Sequence, residues 1–130
     1  MTKILIVDDS NSQRKYLENI LKILGFKVIS VENAESAMAI IKSDKLEMIL
    51  LDVILPGISG WQMCRKLKSD SQFKTIPIII CSTKSTVVDR EWTKMIGANA
   101  HLNKPISANQ LIQTITKITK IPRNYFGENS

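Results

Sequence analysis

The chain has 130 residues, of which 44% are hydrophobic and 23% are charged, and its formal net charge is +6 at pH 7. This length suits one domain with a sizeable core, and no apolar run approaches the roughly 18 residues that would cross a membrane. Because the amino terminus runs from a short apolar segment straight into two aspartates, it does not resemble a signal peptide, and we expect a cytoplasmic protein.

Most of the positive charge lies in the second part of the sequence. Residues 1–59 carry 7 basic and 8 acidic side chains, whereas residues 60–130 carry 11 basic and 4 acidic side chains. The basic residues are scattered, and no helix-turn-helix or zinc-finger pattern accompanies them, so no DNA-binding domain is predicted. They form either a solvated surface or a face that attracts an acidic protein partner.

Five short apolar runs predict five β-strands. They are rich in Ile, Leu and Val and mostly do not alternate with polar residues, which is typical of strands buried on both faces of a parallel sheet. The runs are Ile4 to Val7, Val28 to Val31, Met48 to Leu51, Ile78 to Cys81 and Ala100 to Leu102.

A segment with helical spacing follows each run. Asn33 and Ser107 are candidate amino-terminal caps of the second and fifth helices. Gly25 and Gly97 follow the ends of the first and fourth helices, where glycine is common. The residues that indicate the five helices span Tyr16 to Leu24, Ala34 to Ile41, Trp61 to Lys68, Val88 to Ile96 and Leu111 to Ile118.

Five strands that alternate with five helices predict right-handed crossovers and a doubly wound α/β domain. We place this domain at residues 1–120, with a short carboxy-terminal tail at residues 121–130. No internal repeat, low-complexity segment or linker divides the sequence.

Polar side chains follow four of the predicted strands. Asp8 and Asp9 come directly after the first strand, and Asp52 comes directly after the third. Ser82 follows the fourth strand, and the fifth leads into Lys104. Because ligands bind outside the carboxyl ends of the strands of an open parallel sheet, we expect these side chains to converge on one rim.

A carboxylate beside a buried strand, such as Asp52, destabilises the fold unless its charge is compensated. Three clustered carboxylates raise one another's pKa, and a hard divalent cation removes that repulsion. Mg²⁺ prefers oxygen ligands, and Lys104 adds a second positive charge. A carboxylate surrounded by a metal ion, an ammonium and a hydroxyl suits phosphoryl transfer, so we predict that Asp52 is a nucleophile that forms an aspartyl phosphate.

These residues lie in motifs that resemble the receiver domain of response regulators, the phosphoacceptor of bacterial two-component systems. The motifs are ILIVDDS, LLDVILPGISG, PIIICST and GANAHLNKP, and the resemblance runs from Lys3 to about Lys120. It implies a flavodoxin-like sheet of five parallel strands in the order 2-1-3-4-5, with five helices on both faces. Pro56, Gly57 and Gly60 match the turn after the phosphorylation site.

The same resemblance implies a Mg²⁺ site and a phosphorylated residue. Asp52 matches the phosphorylated aspartate of the family. Asp9, Asp52 and the backbone carbonyl of Ile54 would bind the ion, and Asp8 would act mainly through water.

The resemblance also assigns switch residues. Ser82 matches the hydroxyl residue that turns toward the phosphoryl group, and Lys104 matches the invariant lysine. Pro105 follows it and is expected to be preceded by a cis peptide bond. His101 occupies a position where the family usually has Tyr or Phe, so it is either the switch ring or a surface histidine.

As a single-domain, chemotaxis-regulator-like receiver, the protein is expected to take a phosphoryl group from a histidine kinase or a histidine phosphotransfer domain. Its signal would leave by contact of the fourth helix, fifth strand and fifth helix with an output protein, in chemotaxis or pilus motility. A monomer and a phosphorylation-dependent dimer both remain open. Basic residues on this face would favour an acidic partner: Lys84, Arg90, Lys94, Lys117 and Lys120.

Four other functions are compatible with parts of the sequence. A receiver that binds partners without phosphorylation usually lacks an acid or the lysine, both of which this chain keeps. A phosphate shuttle or sink would use the same chemistry. An aspartate-nucleophile phosphatase typically has a second acid where this chain has Ile54, and a nucleotide-binding domain would need a glycine-rich loop that the segment DDSNSQ lacks.

Overall fold

The computed structural model describes residues 3–83 and 87–119, apart from the side chains of residues 87 and 88. The predicted tail at 121–130, and with it Lys84 and Lys120, lies outside the described residues. The strands are β1 (Lys3–Val7), β2 (Lys27–Val31), β3 (Met48–Asp52), β4 (Ile78–Ser82) and β5 (Ala100–Asn103). The helices are α1 (Asn11–Ile23), α2 (Ala34–Ser43), α3 (Gly60–Lys68), α4 (Val87–Met95) and α5 (Ala108–Thr119).

The five strands form one parallel sheet in the order β2-β1-β3-β4-β5, which confirms the predicted fold. Three strands extend one residue beyond the carboxyl ends of their apolar runs, to Asp52 in β3, Ser82 in β4 and Asn103 in β5. In the ladders Asp52 pairs with Cys81, and Ser82 pairs with Asn103. Backbone hydrogen bonding continues after the side chains become polar, so Asp52 and Ser82 lie within the sheet rather than after it.

Helices cover both faces of the sheet, which explains the continuous apolar strands. On one face, alternate residues of β1 and β3 pack with buried residues of α2 and α3. On the other face, the intervening residues pack with α1 and α5. In β1, for example, Leu5 belongs to the first cluster and Ile4 to the second, and both are fully buried. No helix within the described ranges is long and apolar enough to span a membrane.

Serine and asparagine side chains cap four helices at their amino termini. Asn33 accepts a hydrogen bond from the Ser36 N–H, and Ser107 accepts one from the Gln110 N–H, as predicted. Ser10 and Ser59 cap α1 and α3 in the same way, although they were not predicted. The three serine caps each precede a glutamine by three residues, which is the capping-box pattern.

Gly60 allows the chain to turn back onto the end of β3. Its N–H donates to the carbonyl of Val53 at 2.8 Å. A Cβ atom at this position would lie 2.0 Å from the carbonyl oxygen of Asp52, far inside van der Waals contact. Residue 60 therefore has to be glycine for α3 to begin beside Asp52.

We expect Gly60→Ala to lower the free energy of unfolding by about 3 kcal/mol, because the backbone of β3 or α3 must move to admit the methyl group. Gly57→Ala is the matched control. Its Cβ would meet nothing within 4 Å, and only its positive φ of 79° opposes the substitution, at about 1 kcal/mol. Urea denaturation of both variants tests this, and equal losses would contradict the close approach at Gly60.

Candidate functional site

Three carboxylates meet at the carboxyl end of the sheet. Because β1 and β3 are adjacent, the Asp8 and Asp9 that follow β1 lie beside Asp52 at the end of β3. Each of the three offers a carboxylate oxygen, and these atoms all lie within 4.8 Å of one another. Asp8 and Asp52 are buried, with 2% and 8% of their surface exposed, whereas Asp9 is exposed. The predicted convergence on one rim is thus observed for the acids.

Lys104 completes this cluster from the end of β5. Its Nζ atom donates to Asp8 Oδ2 at 2.8 Å and lies 3.2 Å from Asp52 Oδ1. Burial by itself lowers the pKa of the amine, but the hydrogen bond to Asp8 and the charges of both carboxylates outweigh it. The pKa of Lys104 is therefore raised, and its ammonium stays charged between two buried acids.

Lys104 compensates the acids only in part. The pKa of Asp52 is raised above the ordinary aspartate value, first because the carboxyl is buried and second because the charge of Asp8 is close. The charge and hydrogen bond of Lys104 oppose these effects, as does the N–H of Val53. The site therefore favours a further positive charge near Asp52.

The donor atoms fit a hard divalent cation such as Mg²⁺. Carboxylate oxygens are its preferred protein ligands, and the ion usually keeps several waters, for which the exposed side of Asp9 leaves access. After burial, the second cause of the raised pKa of Asp52 is the nearby charge of Asp8, and a bound cation would balance this excess of negative charge.

Two contacts that the sequence did not reveal hold Asp8 in place. The N–H of Ser10 donates to Asp8 Oδ1 at 2.9 Å, so the residue that caps α1 also orients the acid. Arg14, one turn into α1, donates to the Asp8 carbonyl at 2.7 Å. The sequence offered one signal for the Arg14 contact, which is a basic residue six positions after an acid at the start of a predicted helix.

Ser82 is the last residue of β4, which was predicted to end at Cys81, and His101 lies on its predicted strand. Ser82 is 2% exposed at the end of β4, and its carbonyl accepts the Lys104 N–H at 2.8 Å. His101 pairs with Ile80 and is half-buried on the edge strand β5. It lines a groove against α4 and another against α5. The Lys104–Pro105 peptide bond is cis, as the resemblance implied.

In metal-free buffer at pH 7 we expect Asp52→Asn to raise the free energy of unfolding by about 1 kcal/mol. Because the pKa of Asp52 is raised in the folded state, the wild-type protein loses stability as pH rises from the ordinary aspartate pKa through the raised value. The Asp52→Asn variant has no carboxyl group at this position and does not lose this stability. The difference in the free energy of unfolding between Asp52→Asn and wild type should shrink as pH falls. Urea denaturation at several pH values measures this difference.

Asp44→Asn is the control of opposite sign. Hydrogen bonds from Lys3 and Ser43 lower the pKa of Asp44, so its stabilising effect is present above the ordinary pKa and is lost as pH falls. Asp44→Asn should therefore be less stable than wild type at pH 7. If both variants shifted stability in the same direction, the charge balance described for Asp52 would be wrong.

Comparisons with known proteins agree with this geometry. The protein PilH of Pseudomonas aeruginosa is 36% identical over 118 residues, which are 91% of this chain and 98% of PilH. The protein PilG of the same organism is 32% identical, over 87% of this chain and 84% of PilG.

Solved structures show the same architecture. A putative response regulator from Chloroflexus aurantiacus superposes with a TM-score of 0.87 at 28% identity, covering 92% of this chain and 98% of that one. The chemotaxis protein CheY4 of Vibrio cholerae gives 0.85 at 28% identity, covering 91% and 98%. The family model of the response regulator receiver domain matches residues 4–116. The chain therefore belongs to the response regulator receiver family.

Proposed function

We propose that this protein accepts a phosphoryl group on Asp52 from the phosphohistidine of a kinase or a phosphotransfer domain, and passes the signal on by protein contact. One observation carries the proposal: a buried carboxylate lies 3.2 Å from the Lys104 ammonium, beside two further acids. Membership of the receiver family implies a histidine kinase and a downstream output.

In the transfer, a carboxylate oxygen of Asp52 attacks the phosphorus while the N–P bond breaks, and the leaving imidazole nitrogen takes the electron pair. Lys104 neutralises charge on the transferring group from one side. Ser82 donates its hydroxyl to a phosphoryl oxygen. Asp52 lies at the end of a fully buried strand and its Oδ1 is 3.2 Å from Lys104 Nζ, so strand and lysine together hold the carboxylate in position for the attack.

The acidic cluster is the proposed Mg²⁺ site, and the receiver family binds this ion at such a pocket. We assign Asp9, Asp52 and the backbone carbonyl of Ile54 as ligands, with Asp8 acting through water. When bound, the ion neutralises the carboxylates and the phosphoryl oxygens.

The output surface is proposed to be α4, β5 and α5. Two grooves flank β5 there, and His101 lines both of them. Arg90 and Lys94 line the groove against α4, and Lys117 lines the one against α5, which supports an acidic partner. Reorientation of His101 after phosphorylation would alter both grooves together.

We propose chemotaxis or pilus motility as the output, in the cytoplasm, and the similarity to the chemotaxis protein CheY4 supports the first. The receiver domain is assigned to residues 1–120, around the family match at 4–116. Phosphorylation-independent binding, a phosphate shuttle and a phosphate sink are the alternative roles. A monomer and a phosphorylation-dependent dimer remain the two candidate states.

Incubation with acetyl phosphate and Mg²⁺ should add one phosphoryl group, seen by intact mass. The adduct should disappear without Mg²⁺ and in Asp52→Asn. Asp44→Asn, which removes an acid far from the cluster, is the control and should still react. If acetyl phosphate gave no adduct, a phosphorylated histidine donor domain would be tried, and failure of both donors would favour phosphorylation-independent binding.

Ile54 is expected to prolong the life of the aspartyl phosphate. Its side chain is 61% exposed two residues after Asp52, and we place it on the approach that an attacking water would take. We expect Ile54→Asn to speed loss of the phosphoryl group several-fold, measured by intact mass after removal of the donor. Ile23→Asn, at an 83% exposed position on α1, is the control. An unchanged or longer lifetime in Ile54→Asn would contradict this role.

Binding of the output protein should weaken as salt concentration rises, because the proposed face is basic. Lys94→Gln and Lys117→Gln should each lower the affinity and flatten its salt dependence. Lys42→Gln, at an exposed position of α2, is the control of equal charge change. Titration of the output protein at several ionic strengths measures this, and a wild-type affinity independent of salt would rule the basic face out.

A further inference from the structure

Tyr16 joins α1 to the segment that follows β5. Its hydroxyl donates to the carbonyl of Ile106 at 2.5 Å, across 90 positions of sequence. The ring is 44% exposed, so the residue is not required to fill the core. What the tyrosine adds over a phenylalanine of the same shape is this one hydrogen bond to a partly buried backbone group.

The segment that receives this bond is Lys104–Pro105–Ile106. At its start, the Lys104 N–H donates to the Ser82 carbonyl at 2.8 Å. At its end, the Ile106 side chain is 1% exposed and packs in the α1–α5 cluster, and Ser107 then caps α5. Tyr16 adds a hydrogen bond from α1 to a short segment already tied to β4 and α5.

The same helix also holds the acid that Lys104 contacts. Ser10 and Arg14 of the α1 start donate to the side chain and the carbonyl of Asp8. Thus one rigid helix contacts the backbone on both sides of the 2.8 Å ion pair between Lys104 Nζ and Asp8 Oδ2. A displacement of about 1 Å at a reacting group strongly lowers the rate of an enzyme-type reaction. The two contacts of α1, at Asp8 and at Ile106, therefore matter for the position of Lys104 relative to the acids.

We propose that Tyr16 is a positioning residue for Lys104: by holding the Ile106 carbonyl, it sets the position from which the lysine reaches Asp8 and Asp52. The contact of Lys104 with the acids is observed, and its consequence for phosphoryl transfer rests on the proposed function. Without the hydroxyl, the Lys104–Ile106 segment moves away from α1, and the ammonium meets the acids less often.

A simpler role for the bond makes a different prediction. If Tyr16 only satisfies the Ile106 carbonyl, its loss weakens the fold by the same factor whether or not Lys104 is present. If it positions Lys104, the two residues are energetically coupled. A double-mutant cycle with Tyr16→Phe and Lys104→Ala separates the two roles, because the effects of independent substitutions on the free energy of unfolding add.

The first measurement is urea denaturation of metal-free wild type, both single variants and the double variant. We expect Tyr16→Phe to raise the unfolding equilibrium constant about tenfold in the wild-type background and about threefold or less in the Lys104→Ala background. A coupling factor of three or more supports positioning. A factor below three overturns it and leaves a local hydrogen bond.

Ser30→Ala is the matched control. Ser30 of β2 donates its hydroxyl to Glu18 of α1, so this variant also loses a hydrogen bond that anchors α1, but on the side of the helix that faces β2. Its effect on unfolding should be the same with and without Lys104. If Ser30 were coupled to Lys104 as strongly as Tyr16 is, any loosening of α1 would displace the lysine. That result would overturn the specific role of Tyr16.

The second measurement is the rate of phosphoryl addition from acetyl phosphate at saturating Mg²⁺. Tyr16→Phe should react three- to tenfold more slowly than wild type, and Ser30→Ala within twofold of it. A wild-type rate in Tyr16→Phe would overturn positioning for transfer. If wild-type protein took no phosphoryl group from any donor, the proposed function would fail, while the unfolding cycle would still decide whether Tyr16 positions Lys104.

Discussion

The ammonium of Lys104, held between the carboxylates of Asp8 and Asp52, is the interaction on which the site depends. Its distances of 2.8 and 3.2 Å place three charged groups at the end of an apolar sheet. Removing Lys104 would leave both buried carboxylates uncompensated, and breaking a buried ion pair in this way typically destabilises by about 3–5 kcal/mol. Each group thus favours the charged form of its partner, because the acids raise the pKa of Lys104 and Lys104 limits the rise of the Asp52 pKa.

The fold supplies the geometry for this interaction through short, rigid connections. β1, β3 and β4 end side by side, so the acids and Ser82 need no long loops to meet. Gly60 lets α3 begin against the carbonyl of Asp52. On the other face α1 starts two residues after Asp9 and holds Asp8 through Ser10 and Arg14. Parallel strands and the helices between them thus place reactive groups at one rim, a general property of doubly wound sheets.

The remaining negative charge is what supports the proposed phosphoryl transfer. One ammonium faces three carboxylates, and a bound divalent cation would balance the excess and would also neutralise an incoming phosphoryl group. The proposed output face is connected to the site through β5, because Lys104 lies just beyond the end of this strand and His101 lies within it. A change at Asp52 that moves Lys104 or Ser82 therefore acts on neighbouring residues of β4 and β5.

The sequence by itself determined the elements, their order along the chain and the residues at the strand ends. Apolar runs and capping residues such as Asn33 and Ser107 are local signals, and the family motifs supplied the strand order. Only the tertiary structure decided which acid Lys104 contacts most closely, that Gly60 lies against Asp52, and that Arg14 and Tyr16 bind backbone carbonyls. The physical reason is range. Caps and periodicity act over a few residues, whereas the Tyr16–Ile106 contact spans 90 positions and exists only once the fold has brought α1 beside the segment that follows β5.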